Sequence, residues 1–281
     1  MKKVAFITGA SRGIGRATAI AFARAGFDIA ISARTLEEGE AFRHSVRDAS
    51  GNPLRGSLNQ TAEVLRGLGA DVLVLRMDLL DSDSVGRCAE KVLSYFGRLD
   101  LLINNAIYQG NDLNLPVLEL RQDTLERVAQ AYLISPFLLV QSVLPVMLEQ
   151  KHGVIINITS GAGEVDPPVP ATDGGWGYAY GAGKAAVSRL SGVICREHGN
   201  SRISAYTLNP GVVATDTLKA TLGEKNLSVL SRQSASPELI AAVLLWLVTD
   251  QRASRHQFQT INAQRLADEY SIKPARESCG E

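Results

Sequence analysis

Short apolar runs alternate with longer amphipathic segments along the 281 residues of the chain. The apolar runs are rich in β-branched residues and are typical of buried strands. They include KVAFI, DIAISA, DVLVLRM, LDLLINNA, GVIINIT and RISAYTLNP. The segments between them follow a helical pattern, the first from about Gly13 to Ala25. Because strands that alternate with helices form βαβ units, we predict a single doubly wound α/β domain with a mostly parallel seven-stranded sheet flanked by helices.

Three segments break this pattern. Residues 45–60 are rich in Gly, Pro, Asn and Ser and are predicted as a loop inside the second crossover. Residues 163–177 contain three prolines within four positions and are predicted as a second loop. The chain after about Gln264 is polar apart from a short amphipathic RLADEY, and we expect it to fray or to pack on a neighbour. Since no linker divides the chain, we predict one domain over residues 1–263 and a polar tail over residues 264–281.

Composition narrows the classes of partner. The chain has 29 basic and 29 acidic residues and a formal net charge of +0, so neither a nucleic acid nor a membrane is expected as a partner. The apolar stretch LIAAVLLWLV is about half the length of a membrane-spanning helix. Cys88, Cys195 and Cys279 are far apart and suggest no disulfide framework or zinc site, which favours the cytoplasm. The histidines lack ligand spacing, so no metal is expected.

Residues 8–15 read TGASRGIG and lie between the first strand and the first helix. Glycines at this place let the backbone turn sharply and approach a pyrophosphate, which the positive N-terminus of a helix attracts. The TGxxxGxG spacing therefore predicts a nucleotide-binding turn. The residues of this turn that we expect to contact the nucleotide are Gly9, Ser11, Arg12, Gly13, Ile14 and Gly15.

More motifs follow the glycine turn in order along the chain. They are NNA at residues 104–106, ITS ending at Ser160, Tyr180-x-x-x-Lys184, and NPGVVAT at residues 209–215. With these motifs in register, the chain resembles the short-chain dehydrogenase/reductase family, classical type, over about residues 3–247. The resemblance implies a Rossmann-type fold, a nicotinamide cofactor, and hydride transfer between this cofactor and a carbonyl or secondary alcohol substrate.

The end of the second strand carries no carboxylate. NAD-selective enzymes usually bind the adenosine ribose with an acid at this position, and the resemblance places Ala33 there. Arg34 follows directly, and Arg12 lies inside the glycine turn. Because arginine binds phosphate through two parallel donors, this pair favours NADP(H), whose 2′-phosphate it would hold. The alternative interpretation is that both arginines are solvated surface charges.

The resemblance implies further cofactor contacts in later parts of the chain. Asp78 matches the family's acid that contacts adenine, although an acid there would also cap the next helix. Pro210 and Gly211 would form the turn beneath the nicotinamide, and Thr215 would hydrogen-bond its carboxamide. The remaining implied contacts are Leu79, Asn105, Ala106, Val213, Tyr180 and Lys184. Residues from about 212 to 236 resemble the mobile substrate loop of the family.

Tyr180 and Lys184 are four residues apart, so a helix places them on one face. A nearby ammonium favours phenolate and would lower the pKa of Tyr180 from its usual value of about 10. We therefore predict that Tyr180 is the general acid/base, Lys184 its activator, and Ser160 a donor to the substrate oxygen. Gly181 and Gly183 are small and are expected to let the cofactor approach this helix. The alternative is an ordinary aromatic residue and an ordinary charge on a helix.

The chain departs from the family pattern at several positions. Ile107 stands where glycine is usual, and would narrow the site or only repack locally. Tyr132 stands where the family has an asparagine that links the lysine to solvent through water, which would change the proton relay. The gap before Tyr180 is longer than usual and predicts an extra flap near the pocket mouth. Trp176 and Tyr178 are expected either to line the substrate pocket or to pack.

The sequence thus favours an NADP(H)-dependent oxidoreductase whose substrate is a small carbonyl compound or alcohol, with a weak preference for apolar or aromatic ones. One alternative is an NADP(H)-binding sensor or scaffold with little or no turnover, which Tyr132 would suit. Another is an isomerase or dehydratase on the same fold. We also expect a homo-oligomer, dimer or tetramer, that forms through the long helices after Asn105 and after Tyr180.

Overall fold

Seven strands form one sheet in a computed structural model that describes residues 1–48, 50–221 and 234–275. They are β1 (Val4–Thr8), β2 (Asp28–Ala33), β3 (Val72–Arg76), β4 (Leu101–Asn104), β5 (Gly153–Ile158), β6 (Ile203–Asn209) and β7 (Thr260–Asn262). Their order is β3-β2-β1-β4-β5-β6-β7, and every pairing is parallel. The predicted doubly wound α/β fold is confirmed, and the sheet is parallel throughout.

Helices cover both faces of this sheet. They are α1 (Gly13–Arg24), α2 (Leu58–Gly67), α3 (Ser82–Phe96), α4 (Gln122–Val128), α5 (Ser135–Glu149), α6 (Tyr178–His198), α7 (Asp216–Thr221), α8 (Pro237–Thr249) and α9 (Ala263–Tyr270). A π-helical turn, Ala129–Ile134, joins α4 to α5. The helices α1, α2, α8 and α9 contribute to the core on one face, and α3, α5 and α6 to the core on the other.

The central strands are apolar throughout because helices bury them on both sides. Within β1, Ala5 and Ile7 belong to the core that contains α1, while Val4 and Phe6 belong to the core that contains α5. This alternation follows from the two-residue period of a strand. The strand order reverses between β1 and β4, and in such sheets ligands bind outside the carboxyl ends of the strands at the reversal.

The helical stretch Gln122–Glu149 is long and apolar enough to cross a membrane by length and composition alone. Its Leu139, Val143 and Met147 are nonetheless buried in the core beside the sheet, so it packs as a core helix of the domain. The opposite side of the same stretch leaves Phe137 about half exposed. The apolar run near the C-terminus forms α8, which has 13 residues.

The predicted irregular segments differ from the structure in two respects. The first loop ends earlier than predicted, because α2 begins within it and is capped by the side chain of Ser57. The tail contains α9, whose Leu266 and Ala267 are buried in the chain's own core. The expectation that this part of the tail frays or packs on a neighbour is therefore wrong. The domain boundary at residue 263 stays a prediction.

Candidate active site

A cleft with a volume of about 310 Å³ opens at the carboxyl ends of the strands, which is within the ~300–1,000 Å³ range of ligand pockets. Every residue predicted to contact the cofactor lines it. These residues are Gly9, Ser11, Arg12, Gly13, Ile14, Gly15, Arg34, Asp78, Leu79, Asn105, Ala106, Tyr180, Lys184, Pro210, Gly211, Val213 and Thr215. The fold thus brings positions from five strand ends to one cavity, and their role in binding a cofactor stays a prediction.

The glycine turn is packed too closely to admit side chains. Gly9 has a φ of 70°, and a Cβ atom there would lie 2.9 Å from the Ala106 Cα. A Cβ atom at Gly15 would lie 2.3 Å from the carbonyl oxygen of Gly9. The turn leads into α1, whose first turn carries no acidic residue. A backbone turn without side chains at the N-terminus of a helix fits the pyrophosphate of a dinucleotide.

Arg12 is engaged by main-chain carbonyls rather than exposed to solvent. Its Nε donates to the carbonyl of Arg55 at 2.9 Å, and its Nη2 donates to the carbonyls of Leu54 and Gly56 at 3.1 and 3.2 Å. Burial lowers the pKa of Arg12, and the nearby Arg34 lowers it further. Arg12 is therefore not a solvated surface charge. It is also not fully available to a phosphate, because its Nε and Nη2 already donate to the loop.

The sequence does not indicate that the loop held by Arg12 belongs to the site. We call this loop, described at residues 45–48 and 50–57, the crossover loop. Its Ser45, Val46 and Leu54 line the cleft. Gly56 has a φ of 109°, and a Cβ atom there would lie 2.6 Å from the carbonyl oxygen of Ser11. The backbone of the loop therefore lies directly on the glycine turn, and composition alone indicates only a polar loop.

The end of the cleft beyond β2 is rich in positive charge. Arg34 donates from Nη1 to the carbonyl of Arg43 at 3.2 Å, and its guanidinium lies 5.5 Å from the centre of the Phe42 ring. Burial lowers the pKa of His44, and the charges of Arg127 and Arg43 lower it further. The guanidinium groups of Arg34, Arg43 and Arg127 lie around one pocket here, and such a concentration of positive charge suits an anion.

Asp78 lies at the same end of the cleft. Its Oδ1 accepts a hydrogen bond from the Leu80 amide at 3.0 Å. The residue that caps α3 is Asp81, which accepts from the amides of Asp83 and Ser84. The alternative interpretation of Asp78 as the helix cap is therefore wrong, and its carboxylate remains beside the cavity.

Tyr180 lines the other end of the cleft, and Ser160 hydrogen-bonds Tyr180 without lining the cleft itself. Ser160 follows β5 and its Oγ accepts from the Ala162 amide at 3.3 Å, while Tyr180 lies in the first turn of α6. Burial raises the pKa of Tyr180, and a hydrogen bond with Ser160 offsets part of this rise. Tyr178 is 61% exposed, so burial as well as the spacing to Lys184 favours Tyr180 over Tyr178 as the catalytic tyrosine.

Lys184 is buried, with 2% of its surface exposed. Its Nζ donates to the Ile158 carbonyl at 3.0 Å and lies 5.5 Å from the centre of the Tyr132 ring. Burial lowers the pKa of Lys184 to about 7. The predicted lowering of the Tyr180 pKa by this ammonium is wrong for this structure, because burial dominates both groups and the amine is directed to a carbonyl.

The small residues at the start of α6 serve packing within the protein. A Cβ atom at Gly183 would lie 2.8 Å from the Val128 Cγ1 and 2.9 Å from the Tyr132 Cδ1. A Cβ atom at Gly181 would lie 3.0 Å from the Ala162 carbonyl oxygen. The expectation that these glycines make room for the cofactor is wrong, because their Cβ positions face the end of α4, the π-helical turn and the Ser160 loop.

The loop after β4 contributes Ile107, Tyr108 and Gln109 to the cleft. Burial and a hydrogen bond to Asp112 raise the pKa of Tyr108 to about 12. Burial disfavours the charge of Asp112, but hydrogen bonds from Thr124, Tyr108 and Arg127 outweigh it and lower its pKa to about 2. This polar cluster anchors the loop on α4. The sequence pointed only to Ile107, because the other residues have no motif of their own.

The predicted flap at residues 163–177 is attached to the loop after β4. The amide of Gly177 donates to the Oδ1 of Asn114 at 3.0 Å. Trp176 is partly buried, and the Gly181 position lies against its ring. This contact favours packing for Trp176, while the function of the flap stays a prediction.

The predicted substrate loop, residues 212–236, is described at its two ends, and residues 222–233 lie outside the described residues. The ends are joined, since Val213 and Ala235 form a β-bridge. Gln264 of α9 donates from Nε2 to the carbonyls of Pro210 and Val212 at 3.3 and 3.1 Å. The tail therefore supports the turn that the resemblance places beneath the nicotinamide, which the polar composition of the tail did not indicate.

Comparison with known proteins agrees with this geometry. A family model described as short chain dehydrogenase matches residues 3–226. A 3-oxoacyl-[acyl-carrier-protein] reductase of Synechocystis sp. is 30% identical over 261 residues, which are 92% of this chain and 94% of the relative. A metagenomic short-chain oxidoreductase, solved in complex with NADP, superposes with a TM-score of 0.68 and 26% identity over 92% of this chain and 96% of its own.

Levodione reductase shares the fold, with a TM-score of 0.74 and 23% identity over 92% of this chain and 95% of its own. The family match and the relative from Synechocystis each extend over most of the chain. The chain therefore belongs to the short-chain dehydrogenase family, which consists of oxidoreductases that use nicotinamide cofactors.

Proposed function

We propose that this protein is an NADP(H)-dependent oxidoreductase that transfers a hydride between the nicotinamide and a carbonyl or secondary alcohol substrate. The observation that carries the proposal is one cleft that joins the glycine turn and Arg34 at one end to Tyr180 and Lys184 at the other, where Ser160 hydrogen-bonds Tyr180. In folds of this type a dinucleotide lies across the carboxyl ends of the strands, so this cleft would hold one with its nicotinamide at the Tyr180 end.

The residues of the adenosine end support NADP(H) over NAD(H). Ala33 ends β2 without a carboxylate, and Arg34 donates one hydrogen bond, to a main-chain carbonyl. Its remaining donors would hold the 2′-phosphate. Arg12, whose Nε and Nη2 already bind the crossover loop, would contribute mainly by holding that loop against the glycine turn, for either cofactor. Asp78 would contact the adenine.

A bound nicotinamide supplies or accepts the hydride at the substrate carbon. In the reductive direction, Tyr180 donates its proton to the substrate oxygen, and the product is an alcohol. Ser160 hydrogen-bonds the same oxygen and stabilises the charge that develops there. Lys184 would hold the cofactor ribose and, when protonated and turned toward Tyr180, would stabilise the tyrosinate that remains until a proton from solvent restores the phenol. In the oxidative direction, the same groups act in reverse.

A second candidate is a sensor that binds NADP(H) with little turnover. It is favoured by the pKa of about 7 for Lys184, which leaves this side chain partly neutral at pH 7. A neutral amine would stabilise the tyrosinate less than an ammonium does.

We further propose a homo-oligomer in the cytoplasm, a dimer or tetramer without nucleic acid or membrane partners. The exposed Leu133, Ile134 and Phe137 on the helix after β4 support a protein contact there. Residues 1–263 are proposed as the NADP(H)-binding domain, and residues 212–236 as its substrate loop.

The test is NADPH oxidation with a panel of aldehydes, ketones and diketones, for wild type, Tyr180→Phe and Tyr95→Phe. Tyr95 is exposed on α3 and bonds Asp71, so its variant removes a phenol far from the cleft. We expect Tyr180→Phe to lose about 10²–10⁴-fold in kcat/KM and to keep its affinity for NADPH. Tight NADPH binding with no turnover on any compound would instead support the sensor.

A further inference from the structure

Tyr132 is the largest fully buried side chain among the described residues, with 1% of its surface exposed. It stands on the π-helical turn between α4 and α5. π-Helical turns insert a residue into a helix and are frequent at functional sites. This turn places the ring against α6, at the position of Lys184. The ring therefore belongs to the surroundings of the active site, although it does not line the cleft.

The fit between Tyr132 and α6 depends on Gly183. A Cβ atom at that position would lie 2.9 Å from the Tyr132 Cδ1 and 3.0 Å from its Cγ, closer than side chains approach. The absence of a side chain lets the ring lie directly against the backbone one residue before Lys184. The Lys184 Nζ is then 5.5 Å from the ring centre, within the ~6 Å at which an ammonium is attracted to an aromatic face.

The hydroxyl of Tyr132 is committed elsewhere. It donates to the carbonyl of Tyr108 at 2.7 Å. Burial raises the pKa of Tyr132 well above its usual value, and the neighbouring Tyr180 and Tyr108 raise it further. The side chain therefore stays a phenol whose proton is directed at the loop after β4. It contacts the lysine through its ring and the loop through its hydroxyl.

The other groups around Lys184 offer little to hold its charge. Tyr180 is on the same helix, Tyr132 is on the π-helical turn with Tyr108 behind it, and β5 supplies the Ile158 carbonyl. Among the described residues, no carboxylate contributes to the shifted pKa of Lys184, which burial alone accounts for. Within the part of the chain that the structure describes, the Lys184 Nζ has one carbonyl as hydrogen-bond acceptor and one ring face as a neighbour.

We propose that Tyr132 is a positioning residue for the catalytic pair: its ring face holds the Lys184 amine against the Ile158 carbonyl, and its hydroxyl fixes the loop that carries Ile107 and Tyr108. The catalytic meaning of this contact rests on the proposed function. The contact itself does not, because the charge state of Lys184 can be measured without turnover.

The test measures the titration of Lys184 by NMR of protein labelled with ¹³C at lysine Cε, with the signal assigned by its loss in Lys184→Arg. Tyr132→Phe keeps the ring. Tyr132→pentafluorophenylalanine keeps nearly the same shape but reverses the charge distribution of the ring face. The same analogue at Phe137, which is about half exposed on α5, is the matched control.

We expect Tyr132→Phe to titrate as wild type does, and the fluorinated ring to lower the Lys184 midpoint by about one pH unit. The control at Phe137 should leave it unchanged. An unchanged or raised midpoint with the fluorinated ring would overturn the proposed hold on the amine. The nearly isosteric variants keep the core filled, so a shift cannot be attributed to a cavity.

The loop contact has its own readout in the steady-state kinetics. Tyr132→Phe frees the Tyr108 carbonyl and should raise the substrate KM several-fold with little change in kcat. An unchanged KM in an active enzyme would overturn this half of the proposal. Absence of turnover in the wild type would count against the proposed function instead, since the lysine titration would still test the ring contact.

Discussion

Arg12 and Lys184 are two basic side chains at opposite ends of the same cleft, and they differ in the number of groups that bind them. Arg12 donates to three main-chain carbonyls of the crossover loop. Lys184 donates to one carbonyl and lies over one aromatic ring. Burial lowers the pKa of both side chains, but only that of Lys184 reaches the physiological range, at about 7.

The difference follows from the chemistry of the two side chains. A guanidinium spreads its charge over a planar fork of donors, so several carbonyls can satisfy it while it remains protonated. An ammonium is a compact charge that needs strong solvation and gives up its proton when buried with few partners. Arg12 is thus suited to hold a loop in place, and Lys184 to change charge during a reaction.

The largest effect that distinguishes the two cations is the pH dependence of stability due to Lys184. Its folded pKa is about 7, whereas an unfolded lysine has a pKa of about 10.4. Between these values the unfolded chain binds more protons than the folded one, so stability rises with pH. Below pH 7 both states are protonated, and the buried charge destabilises the fold.

We expect the stability of wild type relative to Lys184→Met to improve by about 2–3 kcal/mol from pH 7 to pH 9. Urea unfolding at fixed pH values measures this difference. Lys91→Met removes an exposed lysine of α3 and should show no such trend against wild type. A flat difference for Lys184→Met would mean that this lysine remains charged in the folded protein.

Arg12→Ala should remove the attachment of the crossover loop. The lost hydrogen bonds leave three carbonyls unpaired, so we expect a loss of about 1–2 kcal/mol in the free energy of unfolding. Because the loop lines the cleft, NADPH and NADH should bind more weakly by similar factors. Urea unfolding and fluorescence titration of each cofactor measure the two effects.

Arg12→Lys is the matched variant for this comparison. It keeps the positive charge but cannot reach three carbonyls with one ammonium, so most of the loss should persist. If Arg12→Ala weakened only NADPH, with stability and NADH binding intact, Arg12 would be the phosphate ligand that the glycine turn first indicated.

The parts of this site that the sequence predicts are those with a local cause. The central strands are predictable because burial on both faces makes each a continuous apolar run. The glycine turn was found because Gly9 needs a positive φ and Gly15 has no room for a side chain. Spacing placed Tyr180 and Lys184 on one helix face. In each case the signal is local in the sequence: an apolar run, a glycine pattern or a four-residue spacing.

The parts that the sequence missed depend on contacts between distant segments. A polar loop rich in glycine does not reveal that Gly56 lies on Ser11. The pair Tyr180 and Lys184 does not reveal that burial, rather than their mutual charge, determines both pKa values. The glycine at position 183 has the same appearance whether it admits a cofactor or the ring of Tyr132. Only the tertiary packing distinguishes these alternatives.

Arg34→Ala sharpens the comparison from the side of the cofactor, with the smallest effect. Arg34 does not anchor a loop through several hydrogen bonds as Arg12 does. It donates to the Arg43 carbonyl at 3.2 Å, and its guanidinium lies over the Phe42 ring. Its loss should therefore leave stability within about 0.5 kcal/mol of wild type. Removal of one phosphate contact should weaken NADPH binding about tenfold, which corresponds to about 1.4 kcal/mol. NADH lacks the 2′-phosphate, so its affinity should not fall.

The ratio of the two dissociation constants, for NADPH and NADH, is the quantity to compare among variants. It should change about tenfold for Arg34→Ala and remain constant for Arg66→Ala, which removes an exposed arginine of α2. Arg12→Ala should leave it nearly constant while it raises both constants, because a displaced loop affects both cofactors alike. If Arg34→Ala raised the dissociation constants of NADPH and NADH equally, Arg34 too would only maintain the shape of the cleft. The 2′-phosphate would then have no proposed ligand.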